Sequence, residues 1–394
     1  MSQDFKNEAF TNFSTPDNKK KMESALYKVK NEFAREYPII IGGRKIICTD
    51  KINSTNPSAP KEIVGLAQKG TKELATEATQ AAWKSFDSWK LKTPEERAAY
   101  LFKMASKIRE KKIELAAWMV YEIGKSWAEA DGDVAEAIDF CEFYALEAIR
   151  YGEPTQCSSQ PGESNYTTYI PLGVGAIIPP WNFPLAILTG MTTAAIVMGN
   201  TVVLKPASDT PIIASKFMEI VEEVNLPDGV INFVSGSGRD VGETLITHPH
   251  IRFISFTGSR EVGLHIVEEA GKTHNGQKWI KRVVAEMGGK DAIIVDSESE
   301  IDAAVEGTAV SAFGFQGQKC SACSRVIVDE KIYDTFVNKL KARVEKISVG
   351  STEDGSKWMG PVSSETAYTK IMSYIEIGKR EGRLICGGEG SDKN

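Results

Sequence analysis

Apolar positions along the first part of the chain recur with helical spacing. Over 71–89 the residues Leu74, Ala75, Ala78, Ala82, Phe86 and Trp89 fall on one stripe, which predicts an amphipathic helix. Thr93-Pro94-Glu95-Glu96 then restarts the chain. A threonine followed three residues later by glutamate is a capping box, and the proline sits where a missing N–H costs nothing. A long helix is expected to run from there to Gly124, and another over 133–149, while 165–171 alternates like an exposed strand or one half of a hairpin.

The pattern changes at Gly173. Short β-branched and aliphatic runs at 174–178, 201–204, 230–234 and 251–256 now alternate with helical windows, the order that parallel βαβ units leave in a sequence. Gly199-Asn200 and Leu226-Pro227-Asp228-Gly229 close the intervening helices. A second series begins after Gly288-Gly289, with strands at 292–295 and 326–329 and helices at 301–314 and 331–347. The expected fold class is α/β. Residues 1–285 would form a helical region and a doubly wound, Rossmann-type domain, and 286–394 a smaller α/β domain, with the chemistry in the cleft between them.

Composition narrows the classes. A chain of 394 residues is expected to hold more than one core, and 42% apolar with 25% charged residues describes an ordinary folded protein. A net charge of −6, with no basic stripe beyond Lys19-Lys20-Lys21, argues against a nucleic-acid partner. The longest apolar stretch, 185–199, is too short to span a bilayer and reads as a buried helix. With no apolar leader and six cysteines in no disulfide framework, a cytoplasmic setting is the expectation.

Candidate chemistry is local and, motif by motif, ambiguous. Gly236-Ser237-Gly238 with Gly242 resembles a phosphate loop, but its spacing and its place after the third strand fail the dinucleotide fingerprint. In Thr257-Gly258-Ser259, Ser259 is a plausible helix cap that leaves amides for a phosphate. Phe313-Gly314-Phe315-Gln316-Gly317-Gln318-Lys319-Cys320 sets a cysteine after a glycine-rich turn, where a thiolate could act as nucleophile and leaving group. Read alone, a free cysteine is more often a buried inert thiol. The Cys320/Cys323 pair lacks the further ligands of a zinc site, so no metal is expected.

Taken together the motifs are specific. Pro180-Trp181-Asn182-Phe183-Pro184, Leu204-Lys205-Pro206-Ala207-Ser208, Phe256-Thr257-Gly258-Ser259, Glu286-Met287-Gly288-Gly289-Lys290 and Gly317-Gln318-Lys319-Cys320 occur in one order, and the chain resembles the aldehyde dehydrogenase superfamily over essentially its whole length. The resemblance implies that Cys320 attacks an aldehyde. The oxyanion would be held by the Asn182 side chain and the Cys320 N–H, and Glu286, a base expected to be partly buried, would activate water against the resulting thioester. It also implies a bound NAD lined by Ile178, Pro179, Pro180, Trp181, Lys205, Ser208, Gly238, Gly242, Thr257, Gly258, Ser259, Met287 and Gly288. Ser208 stands where many NAD-specific relatives carry glutamate, so NADP stays open.

The flanking text, including 135–140 and 375–379, is similar to the bacterial branch that oxidises glutamate γ-semialdehyde to glutamate in proline degradation. That likeness implies Ser321 for the substrate carboxylate, Glu142 for its ammonium, and a homo-oligomer joined through 165–171. Another short aldehyde, such as succinic semialdehyde, is the alternative. The polar stretch 387–394 ends the chain before the segment that follows in the family, which leaves an inactive fragment as a further alternative.

Overall fold

The computed structural model describes residues 5–390. A seven-stranded sheet runs through it in the order Arg282–Glu286, Phe253–Thr257, Val174–Ile178, Thr201–Leu204, Ile231–Phe233, Ile39–Ile41, Arg44–Ile46. The first five strands are parallel. The two central ones, Val174–Ile178 and Thr201–Leu204, are covered on both faces, and continuous apolar runs are what such strands require. One core packs the helices Lys112–Ile123, Trp127–Gly152, Ala186–Val197 and Pro211–Glu223 on one side of the sheet, and a second packs Lys72–Trp89 and Arg260–Ala270 on the other. Strands Asp291–Val295 and Cys323–Val328 form a separate parallel pair over a small core of Val295, Val305 and Phe336.

The expected helices are present with changed limits. Thr71 caps Lys72–Trp89, and the Thr93/Glu96 capping box starts Pro94–Glu110. The single long helix expected to reach Gly124 is broken at Lys111 and resumes as Lys112–Ile123, ending on a left-handed Gly124. The helix expected over 133–149 is longer at both ends, Trp127–Gly152. Residues 166–167 do form half of a hairpin, and the partner is Thr155–Gln156. The helix Glu365–Glu381 was not expected.

The larger departure lies before residue 70, where helices were expected to dominate. Five strands occur there, including the hairpin Ile39–Ile41/Arg44–Ile46 at the sheet edge and a three-stranded sheet of Arg35–Tyr37, Ala59–Gln68 and Lys51–Asn56. Gly42 and Gly43 turn the hairpin with φ of 55° and 80°, a two-residue turn in which both positions need positive φ.

Glu122 links three of these elements. Its carboxylate is fully buried and accepts from Ile212 N–H (2.7 Å), Ile213 N–H (2.8 Å) and Ser54 Oγ–H (2.8 Å), so it caps the Pro211–Glu223 helix from inside. Burial, outweighing these donors, lifts its pKa from 4.5 to about 7. A raised acid favours the protonated folded state, so this group's contribution is complete below pH 4.5 and is lost as pH rises through about 7. The displacement is worth about 3 kcal/mol. Thermal unfolding of wild type and Glu122→Gln should therefore show the melting-temperature difference moving in the variant's favour between pH 5 and pH 8.

Candidate active site

The carboxyl ends of the five parallel strands lie on one edge of the sheet, and each is followed by a segment singled out in the sequence. Ile178 leads into Pro179-Pro180-Trp181, Leu204 into Lys205, Phe233 into the 236–242 loop, Thr257 into Gly258-Ser259, and Glu286 into Met287-Gly288. From Val174–Ile178 the chain proceeds outward to 201–204 and 231–233, then returns to the other side at 253–257. The strand order therefore reverses between the 178 and 257 loops. Such a switch point opens a crevice between loops, where doubly wound proteins bind ligands.

Within the crevice Lys205 is buried, and its ammonium makes one hydrogen bond among the described residues, to the Pro206 carbonyl (3.0 Å). Burial lowers it to about 8, against the pull of Asp209. Gly242 lies against its stem, Ser208 Oγ donates to the Gly236 carbonyl, and Gly238 faces open space. Ser259 caps the Arg260–Ala270 helix by accepting from Val262 N–H. Gly258 N–H donates to the Glu286 carbonyl, which ties these two loops together, and Thr257 Oγ lies 3.5 Å from Met191 Sδ on the Ala186–Val197 helix.

Cys320 is exposed, at the end of a turn in which Phe315, Gln316 and Gly317 are all left-handed, with φ of 48°, 57° and 68°. Cys323 is buried, its thiol donating to the Arg325 carbonyl, so the pair has divided into an accessible and an inert sulfur. No group of residues able to hold a metal occurs among the described residues. Asn182 reaches this turn: its Nδ2 donates to the Gln318 carbonyl (2.9 Å), while its Oδ1 accepts from Phe183 N–H (3.1 Å). The Cys320 N–H makes no hydrogen bond among the described residues.

The Glu286 loop meets the same turn through a residue not singled out for this role. Gly289 N–H donates to the Cys320 carbonyl (3.1 Å), and a Cβ on Gly289 would collide with that oxygen. The requirement for glycine here comes from backbone approaching backbone, not from a turn. Glu286 itself is exposed, which corrects the expectation of partial burial. It ends an edge strand, and nothing among the described residues packs over that edge.

Ser321 is exposed beside Cys320, as a substrate contact would need to be. Glu142 is not brought to the site. It pairs with Arg109 (2.7 Å), which also holds Glu8, on the opposite side of the Trp127–Gly152 helix. The face of that helix turned toward Lys319 and the cysteine turn carries Glu129, Asp133, Glu136 and Phe140, at helical spacing. Glu129 pairs with Lys319 (2.8 Å), Asp133 pairs with Lys125 and accepts from Ala186 N–H, and Phe140 packs on Gly190. Two residues beyond Phe140 a helix has turned by about 200°, which takes Glu142 away. Glu136 is half-buried with no hydrogen-bond partner among the described residues, and burial raises its pKa despite the nearby cations Lys125 and Lys319. It is the carboxylate on this face left free to meet a ligand.

This sheet edge, with its cysteine turn, asparagine and strand-end glutamate, sets a class. Residues 47–394 match the aldehyde dehydrogenase family, and the chain belongs to it. The chain is 51% identical to a 1-pyrroline-5-carboxylate dehydrogenase of Geobacillus thermodenitrificans over 392 residues, 100% of this chain and 76% of that protein. Among solved structures it is similar to a Thermus 1-pyrroline-5-carboxylate dehydrogenase with bound NAD, at 48% identity and a TM-score of 0.97, covering 99% of this chain and 76% of that one. It is also similar to proline utilization A of Bdellovibrio bacteriovorus, at 42% identity and a TM-score of 0.95, covering 98% of this chain and 41% of that one. No described helix is long and apolar enough to cross a membrane.

Proposed function

We propose that the chain carries out NAD-dependent oxidation of glutamate γ-semialdehyde, the open form of 1-pyrroline-5-carboxylate, to glutamate in proline degradation. The observation that carries the reading is the convergence of an exposed Cys320, the Asn182 carboxamide and the Glu286 loop on one turn. The 51% identity to a protein named for this substrate supports the choice of aldehyde.

The residues present fit a dinucleotide. Lys205 offers a buried ammonium with donors to spare for ribose hydroxyls, Gly238 and Gly242 leave room beside it, and the Ser259-capped helix presents its N-terminus to a phosphate. Ile178, Pro179, Pro180, Trp181, Ser208, Thr257, Gly258, Met287 and Gly288 would complete the lining, with the domain division at 285/286. Bound NAD would supply the hydride acceptor. The Cys320 sulfur adds to the aldehyde carbon, and the carbonyl electron pair moves to oxygen, where the free N–H groups of Asn182 and Cys320 hold it. After oxidation the acyl group is a thioester. Glu286 takes a proton from water, the water oxygen bonds to the acyl carbon, and the Cys320 thiolate leaves. Ser321 would meet the substrate carboxylate and Glu136, replacing Glu142, its ammonium. The exposed hairpin with Tyr166, Tyr169 and Ile170 would join copies of the chain.

The test follows reduced-cofactor absorbance with 1-pyrroline-5-carboxylate, succinic semialdehyde and simple aldehydes, using NAD and NADP. The first pair with NAD should give the highest kcat/KM, and turnover confined to another aldehyde would overturn the substrate. Glu286→Gln should slow deacylation about 10²-fold and let the acyl-enzyme accumulate, read by intact mass.

A further inference from the structure

The nucleophile's turn is held in a conformation its own residues do not favour. Phe315 and Gln316 are left-handed without being glycine, which costs roughly 1–2 kcal/mol each. Neighbours must hold the turn in place. Phe315 is buried beneath Trp181, with the Lys125 ammonium 4.8 Å from its ring. The remaining restraints pass through two side-chain amides. Gln316 Nε2 donates to the Gly360 carbonyl (2.9 Å). Gln318 Nε2 donates to Gln316 Oε1 (2.8 Å), and Gln318 Oε1 accepts from Ser363 N–H (3.1 Å). Segment 360–363 is itself wedged against Gly124, whose carbonyl a Cβ on Gly360 would strike. Two hydrogen bonds thus brace the turn against a fixed strap, and a third joins the two bracing amides to each other.

Gln318 holds the central place in this brace, because its backbone carbonyl is also the acceptor for Asn182 Nδ2 (2.9 Å). With Oδ1 on Phe183 N–H and one Nδ2 proton on Gln318, the plane of the Asn182 carboxamide is set, and its second N–H meets no acceptor among the described residues. We propose that Gln318 is a positioning residue for acyl transfer: its side chain, anchored to Gln316 and Ser363, places its own carbonyl, and that carbonyl aims the Asn182 N–H at the oxyanion. This rests on the reading of Cys320 as nucleophile. Gln318 itself touches no reacting atom.

The experiment uses the whole chain and needs neither cofactor nor aldehyde. With 4-nitrophenyl acetate, the Cys320 sulfur bonds to the acetyl carbon and 4-nitrophenolate leaves, a step through a tetrahedral oxyanion. Iodoacetamide alkylates the same sulfur with loss of iodide and forms no oxyanion. Gln318→Ala should slow the acetylation burst at least tenfold and change the Cys320 alkylation rate less than twofold, both read by peptide mass. Asn182→Ala should slow acetylation about 10²-fold, and Gln318→Ala should add nothing to it, since two residues acting through one N–H are not additive. The near-isosteric Gln318→Met repeats the measurement if Gln318→Ala does not fold. An unchanged burst in either Gln318 variant, or full additivity with Asn182→Ala, overturns the positioning role. Absence of Cys320 acetylation in the wild type would overturn the nucleophile reading instead.

Discussion

Cys320→Ala should lose NAD-dependent turnover by more than about 10⁴-fold, because removal of a covalent nucleophile leaves only binding and oxyanion stabilisation. The same variant should show no acyl adduct by mass spectrometry, whereas Cys323→Ala should keep it. The contrast follows from placement. Cys320 stands exposed at the end of the left-handed turn, beside the Asn182 carboxamide, while Cys323 opens a strand with its thiol buried and donating to a carbonyl. Cys157 is also exposed, but on the peripheral hairpin with no donor array around it, so iodoacetamide should label it and acyl transfer should not. An acyl adduct that persists in Cys320→Ala would overturn the nucleophile.

Asp133→Ala should destabilise the protein by about 3–5 kcal/mol, the cost of leaving a buried charge without its partner. Lys125 Nζ and Asp133 Oδ2 are 2.7 Å apart with both side chains fully buried. The other Asp133 oxygen accepts from Ala186 N–H (2.6 Å), and the ammonium lies 4.1 Å from the Phe183 ring and 4.8 Å from the Phe315 ring. Loss of the carboxylate strands a cation between two aromatic rings and frees a helix N-terminus. Lys125→Met combined with Asp133→Leu should recover most of the stability, because an apolar pair of similar volume replaces the ion pair. Urea midpoints of the single and double variants check this. A double variant no more stable than Asp133→Ala would show that the pair itself, not its separation, holds the fold.

Physical length scale decided what could be read from the sequence. The parallel strands were legible because burial on both faces writes a continuous apolar run, and Thr93-Pro94-Glu95-Glu96 because a capping box is complete within four residues. The strands before residue 70 are mostly three residues long, too short for a period to emerge, although Gly42-Gly43 between two runs was a usable hairpin signal. The break at Lys111 has no glycine or proline to announce it. The proposed roles of Cys320, Asn182 and Glu286 are legible only from the three motifs together, since each residue is ordinary in its own neighbourhood. That Glu142 lies away from the Cys320 turn, paired with Arg109, is not legible in the sequence, because it depends on which face of a helix meets Lys319, a contact across 190 residues. The brace of Gln316 and Gln318 on 360–363 is equally non-local, and left-handed Phe315 and Gln316 carry no composition that would reveal them.

The contact of Gly289 with the Cys320 carbonyl bears on how this site can vary over generations. A side chain at 289 would strike the Cys320 carbonyl, while one at 238 would meet no protein atom among the described residues. Two glycines that look alike on paper therefore face different selection. A side chain at 238 would meet only the dinucleotide that the crevice is proposed to hold, whereas any residue other than glycine at 289 would push on the Cys320 turn and leave the distant sheet, its packing and its cofactor crevice intact. Lineages that abandon catalysis but keep the fold should record that loss first at such a point of backbone contact.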